Sequence, residues 1–256
     1  MVYSSIIPIL LGWILWSKTC LAAPESWQVH FQKAVTPRME AITHMHHFLM
    51  IVITLIALFV VLLLFYVTYR FRAKKNPTPS KTTHNTLLEV IWTTIPAIIV
   101  LAIAIPSVRL IYDFDRSVDA DMTVKVTGRQ WYWTYEYEGQ NVAIDSRLIP
   151  QNELKPGQLR NLDVDNRLVL PVGKTVKFHI TSADVIHGFA VTPFGIQKNA
   201  VPGRINETWV RVDHEGVYYG QCFSICGANH AFMPIAIEVV SAEKYAEFLK
   251  KNKTAT

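Results

Sequence analysis

Gly220-Gln221-Cys222-Phe223-Ser224-Ile225-Cys226-Gly227-Ala228-Asn229-His230-Ala231-Phe232-Met233-Pro234 places two thiols, an imidazole and a thioether within twelve residues. Each is a soft or borderline metal donor. Calcium and magnesium sites are built from oxygen ligands, which this run does not emphasise. Structural zinc uses cysteine and histidine, with methionine rare. Thiolate, imidazole and thioether together suit copper. Other readings compete. The cysteines could close a small, strained disulfide loop. The spacing 222, 226, 230, 233 could also mark one face of a helix, with Met233 merely packing. Gly220, Gly227 and Pro234 sit badly in a helix interior, so a folded-back loop is expected.

Two thiolates can bridge a pair of metals, and a pair needs more donors than this run holds. His187, in Ser182-Ala183-Asp184-Val185-Ile186-His187-Gly188, is the best candidate for a second imidazole. It follows the alternating run Val176, Phe178, Ile180 and is expected to open a turn beside Gly188. An ordinary core histidine is the competing reading, and His187 gains weight only alongside the loop. The full donor set is then His187, Cys222, Cys226, His230 and Met233, with one backbone carbonyl from between the cysteines.

Upstream, the chain changes character. Half of the 256 residues are hydrophobic. Phe48 to Tyr69 and Val90 to Val108 carry no charged residue. Each is long enough to cross a ~30 Å hydrocarbon core as a helix. The expected helices run over about 44–69 and 87–112, joined by a loop over 70–86. That loop holds Arg70, Arg72, Lys74, Lys75 and Lys81 and no acid, which marks the cytoplasmic side. The net charge of +5 is therefore local, because residues 113–256 hold 17 acidic and 16 basic side chains. The basic balance reports membrane orientation and excludes a nucleic-acid partner.

Residues 1–23 read as a signal peptide, with an apolar stretch from Ile6 to Trp16 and small residues at Ala22-Ala23. Residues 24–112 would comprise an outer segment and the hairpin, and 113–256 an outer domain. His44, His46 and His47 cluster at the outer end of the first span without acidic or cysteine companions, so an interfacial role is expected. In the outer domain Met122, Val124 and Val126 alternate with polar residues, and Trp131, Trp133, Tyr135 and Tyr137 share one side of their run. Short strand-like runs follow at 175–180, 207–212, 216–221 and 235–240, which predicts a Greek-key sandwich. Tyr245, Phe248 and Leu249 then recur at helical spacing behind Ser241, an N-cap candidate.

The chain resembles subunit II of the haem–copper cytochrome c oxidases, of the bacterial type similar to the mitochondrial one. The likeness runs from about residue 40 to the end. It rests on Thr83-His84-Asn85-Thr86, Glu89-Val90-Ile91-Trp92-Thr93, Gly128-Arg129-Gln130-Trp131-Tyr132-Trp133, Val164-Asp165-Asn166-Arg167, Asp184-Val185-Ile186-His187, Ala200-Val201-Pro202-Gly203-Arg204 and the loop above. The resemblance implies a two-helix transmembrane hairpin with an all-β cupredoxin-like sandwich, set in a bacterial inner membrane with the copper domain in the periplasm. It implies a binuclear copper A centre that accepts electrons from cytochrome c. These pass to haem in subunit I, where oxygen reduction is coupled to proton pumping; subunit III is a further expected partner. Quinol-oxidase relatives lack the copper donors, and a copper chaperone would hold one exchangeable ion.

The resemblance also assigns residues. One copper takes His187 and Met233; the other takes His230 and the main-chain carbonyl of Ser224; Cys222 and Cys226 bridge them. Trp131 is the electron entry point. Gln130, Asp145, Asp165 and Asp184 match docking or site-supporting positions, which suits a lysine-ringed cytochrome. Glu89 matches a glutamate at the mouth of a proton channel. Position 224 usually holds glutamate, whose carboxylate also binds magnesium at the subunit boundary. With Ser224, copper binding is expected to survive and the magnesium site to be weakened, lost or completed by water.

Overall fold

The computed structural model describes residues 25–253, so the expected signal segment lies outside the described residues. The described residues divide into a helical unit, Pro37–Ser117, and a β unit made by residues 25–36 together with 118–253.

The helical unit is a pair of long helices, α1 (Pro37–Arg70) and α2 (Thr86–Asp115). Helix α1 starts before the expected residue 44. Pro37 opens it where a missing N–H costs nothing, and Glu40 stands in its first turn, where the helix dipole favours an anion. Asn85 caps α2: its Oδ1 accepts from the Leu88 N–H at 3.1 Å, while Glu89 Oε1 accepts from the Asn85 N–H at 3.3 Å. Pro96 and Pro106 lie inside α2. Arg38 donates to the Phe114 carbonyl at 3.0 Å, so the start of α1 adjoins the end of α2 and the two run antiparallel. Leu55, Phe59, Leu62 and Phe65 on α1, and Ile98, Val100, Leu101 and Ile105 on α2, stand exposed. A protein in water does not leave so much apolar surface bare on two adjacent helices, whereas a bilayer solvates it. In the connection, Tyr69 lies under Arg72 and Lys75 at 4.7 and 4.6 Å, and Asn76 donates to the Arg70 carbonyl.

The β unit is a sandwich of two five-stranded sheets. Its strands are β1 (Met122–Arg129), β2 (Tyr132–Tyr137), β3 (Val142–Ser146), β4 (Leu168–Pro171), β5 (Thr175–Ser182), β6 (His187–Val191), β7 (Ile196–Ala200), β8 (Asn206–Arg211), β9 (Gly216–Cys222) and β10 (Pro234–Val240). One sheet has the order β3-β2-β1-β5-β8 and the other β4-β10-β9-β6-β7. Pairing is antiparallel except for β1 with β5 and β4 with β10. Val124, Val126, Trp133, Tyr135, Phe178 and Ile180 of the first sheet pack with Phe189, Tyr218, Ile235 and Ile237 of the second. The long β3–β4 connection covers the outer face of the second sheet through Leu159, Leu162 and Val164. It is pinned by fully buried Asp163, which accepts from the Leu159 N–H, the Tyr219 hydroxyl and Arg167. Helix α3 (Ala242–Asn252), capped by Ser241, lays Tyr245 and Phe248 beside Tyr137.

Strands β3, β4, β6 and β7 are additions to the sequence reading. β4 is buried throughout and β6 nearly so, which erases alternation; β3 and β7 are five-residue edge strands. The turn expected at His187 is corrected: the chain bends at 183–185 and His187 opens β6.

Candidate metal centre

Two strand ends and one loop build the site. His187 begins β6, Cys222 ends β9, Cys226 lies in the loop, His230 starts a single 3-10 turn, and Met233 precedes β10. The loop folds back and is not a helix. The Cys222 and Cys226 Sγ atoms are 3.9 Å apart and free, against about 2.05 Å for a disulfide. Cys226 Sγ is 3.5 Å from both His230 Nδ1 and Met233 Sδ. Cys222 Sγ is 3.4 Å from the Ser224 carbonyl oxygen and from the Gly188 N–H nitrogen. Donor atoms of His187, Cys222 and Cys226 lie within 4.8 Å of one another. The structure thus brings together all the donors read from the sequence.

His187 is fully buried, and its Nε2 is 2.7 Å from Asp184 Oδ1. Its Nδ1 is buried without a conventional hydrogen-bond partner, beside the Cys222 thiol. An unpaired ring nitrogen in a dry site is costly for a packing histidine and suited to a metal donor. The carboxylate on the other nitrogen fixes ring and tautomer, as it does in metal sites generally. These features fit a soft cation.

The thiols do not ionise alike. Burial opposes the Cys222 thiolate, but the neighbouring His187 ring and the Gly188 N–H prevail and hold it below the usual thiol range. Burial and the charge of Cys222 push Cys226 above that range. Two thiolates only 3.9 Å apart repel each other, so ionising both calls for a cation between them. Burial likewise opposes charge on His187 and on Asp184. The thiol and carboxylate beside His187 nevertheless raise its pKa, and its ring together with the Val185 and Gln130 N–H groups lowers that of Asp184.

Asp184 and Gln130 touch the cluster directly. Asp184 Oδ2 accepts from the Gln130 N–H at 2.7 Å, and Gln130 Nε2 donates to the Cys226 carbonyl at 2.8 Å. The turn carrying Trp131 is thereby tied to a histidine and a cysteine of the cluster. Trp131 is half-buried and packs on Gly227, where an added Cβ would meet its ring at 2.9 Å. Gly128 gives His187 its room in the same way, at 2.9 Å.

Asp145 and Asp165 stand apart from this cluster in one exposed network. Asp145 pairs with Arg147 at 3.1 Å and accepts from Thr134; Asp165 accepts from the Arg147 and Asn166 N–H groups. Arg147 lies 3.5 Å over the Tyr132 ring. Glu89 stands in the first turn of α2 and caps it. The sequence put Trp133 on one side of an aromatic run but gave no sign of its contact with the site: its indole N–H donates to the Met233 carbonyl at 3.1 Å and its ring lies edge-on to His187. Sequence reasoning also missed Asn199, whose Oδ1 accepts from the Ser224 hydroxyl at 2.9 Å. No periodicity signals either pairing.

Comparisons with known proteins agree with this geometry. The family described as cytochrome c oxidase subunit II, periplasmic domain, matches residues 122–240, and the corresponding transmembrane domain matches residues 24–110. A probable cytochrome c oxidase subunit 2 of Rickettsia felis is 52% identical over 249 residues, spanning 96% of this chain and 79% of that one. Cytochrome c oxidase subunit 2 of Oenothera berteroana is 48% identical over 234 residues, 89% of this chain and 91% of that one. The crystal structure of the periplasmic domain of subunit II of the cytochrome oxidase of Bradyrhizobium japonicum matches with a TM-score of 0.51 and 44% identity, covering 54% of this chain and 97% of that chain. Two bare apolar helices, a β-sandwich and a thiol-rich loop at its end therefore identify a membrane protein of the cytochrome c oxidase subunit II family, a subunit of a haem–copper oxidoreductase.

Proposed function

We propose that His187, Cys222, Cys226, His230 and Met233, with the Ser224 carbonyl, hold a binuclear copper A centre that receives electrons from cytochrome c and delivers them to haem in subunit I. Reduction of oxygen there is coupled to proton pumping, and subunit III completes the assembly. The chain sits in a bacterial inner membrane with its sandwich in the periplasm. The observation that carries this reading is the buried, unpaired Nδ1 of His187 beside a thiol pair that also contacts His230 and Met233. Copper supplies a one-electron couple when bound. The chain's own residues fix the donors from two strand ends and one loop and bury His187, Cys222, Cys226 and Met233, so that they need little rearrangement between charge states. The five cations of the 70–86 loop stay on the cytoplasmic side, which puts the sandwich outside.

Trp131 is the electron entry. Its turn is bonded to Asp184 and to the Cys226 carbonyl, so it links the outer surface to the donor cluster through two hydrogen bonds. Gln130 and Asp184 support the site at the same turn, while Asp145 and Asp165 contribute to docking a basic cytochrome. Trp131→Phe is expected to slow reduction by cytochrome c several-fold at unchanged copper content. Stopped-flow kinetics identical to the parent's would reject the entry role.

Glu89 serves the mouth of a proton channel. Its carboxylate caps α2 beside the basic loop, and a carboxylate at that depth commonly marks a proton path. Glu89→Gln retains a capping oxygen, so proton uptake and haem reduction should slow while the helix persists. Unaltered proton uptake in reconstituted oxidase would leave Glu89 as a cap only.

Magnesium at the subunit boundary is weakened in this chain, because Ser224 offers a neutral hydroxyl already bonded to Asn199. Ser224→Glu should strengthen Mn²⁺ binding to the purified oxidase. A stoichiometric Mn²⁺ held by Ser224 in the parent would contradict the weakened site.

A further inference from the structure

We infer that Asn199 is a positioning residue that aims the Ser224 main-chain carbonyl at the metal centre. This rests on the copper reading above. Ser224 lies midway between the two cysteines, where β9 has ended and the 3-10 turn at His230 has not begun. The loop is anchored on one side by the Phe223 N–H, which donates to the Gly188 carbonyl at 3.1 Å. It is anchored on the other by the Gln130 amide on the Cys226 carbonyl at 2.8 Å. Between these points the Ser224 hydroxyl donates to Asn199 Oδ1 at 2.9 Å.

Asn199 is itself held on both sides. It sits on β7 in register with Gly188 of β6, and its own carbonyl accepts from the Asn206 side-chain amide at 2.7 Å. The acceptor that grips Ser224 is therefore mounted on a paired strand. Gly188 is also the residue whose N–H lies against Cys222 Sγ and whose carbonyl holds Phe223. One rung of the sheet, Gly188 with Asn199, thus carries anchors for three successive loop residues: Cys222, Phe223 and Ser224.

The direction of the carbonyl follows from this grip. The Ser224 side chain is drawn toward β7, and its carbonyl oxygen lies 3.4 Å from Cys222 Sγ, on the side of the donor cluster. A carbonyl is a weak ligand whose contribution depends on orientation, so the residue that holds its peptide tunes the metal without touching it. Where a carboxylate stands at position 224, it cannot donate this hydrogen bond when ionised. The Ser224–Asn199 pair is a neutral anchor suited to the residue this chain carries.

The test uses the assembled oxidase with four variants of this chain: Asn199→Leu, Ser224→Ala, both together, and Ser224→Thr, which keeps the hydroxyl. Copper content, the near-infrared band of the paired centre, its reduction potential and the rate of copper loss to a chelator are compared. Each single removal should keep the full copper content, shift the band and the potential, and speed copper loss by about two- to tenfold, the range of one hydrogen bond. The double variant should match the single ones, because both remove the same bond, and Ser224→Thr should resemble the parent. Band and potential unchanged in both single variants, or additive effects in the double, would overturn the proposal. A parent that shows one copper or lacks the band would instead overturn the copper reading on which it rests.

Discussion

Cys226→Ser should abolish the spectrum of a paired copper centre and cut electron transfer from cytochrome c by more than the ~10–100-fold commonly lost with a supporting residue. Cys226 Sγ lies 3.9 Å from Cys222 Sγ and 3.5 Å from both His230 Nδ1 and Met233 Sδ. It is the atom through which the loop's other donors meet. A serine oxygen is shorter and harder, and it holds soft copper poorly. The sandwich should still fold, because its core is built from both sheets by Trp133, Tyr135, Phe178, Phe189, Tyr218 and Ile235. Copper per chain, the visible and near-infrared spectrum and steady-state turnover check this together. A variant with the parent's copper content and spectrum would remove Cys226 from the ligand set.

Asp184→Asn separates two roles that sequence alone leaves merged. As a docking charge only, Asp184 would change the salt dependence and KM for cytochrome c and nothing else. The geometry gives it more to do. Its carboxylate holds His187 Nε2 at 2.7 Å on one oxygen and the Gln130 N–H at 2.7 Å on the other. Asparagine keeps the shape but removes the negative charge and turns a donor amide toward one of these N–H groups. Copper affinity should fall by about 10–100-fold. The reduction potential should rise, because an anion near the metal favours its oxidised, more positive state. A normal potential with altered salt dependence would return Asp184 to docking alone.

The clustering of thiols, imidazoles and thioether was legible in the sequence because its chemistry lies in residue type and short spacing. Cys222, Cys226, His230 and Met233 fall within one loop, and Gly220, Gly227 and Pro234 told against a helix. The apolar helices were legible from charge-free length. What escaped reading lies in contacts between distant positions. Trp133 reaches the Met233 carbonyl across 100 residues and Gln130 reaches the Cys226 carbonyl across 96. Asp184 could be placed near His187 from its spacing, but its second bond, to Gln130, depends on how β1 meets β5 at the end of the first sheet. Strands buried on both faces, such as Leu168–Pro171, lose the alternation by which a strand is recognised. The start of α1 was missed because its first turns carry mixed residues ahead of the apolar run.

The central claim is a thiolate-bridged copper pair held by this loop. Electron paramagnetic resonance of the oxidised, copper-loaded oxidase tests it most directly. A hyperfine pattern from one unpaired electron shared equally by two copper nuclei is the predicted result. The pattern of a single isolated copper, or a silent site whose cysteines are joined by a disulfide in the active enzyme, would contradict it.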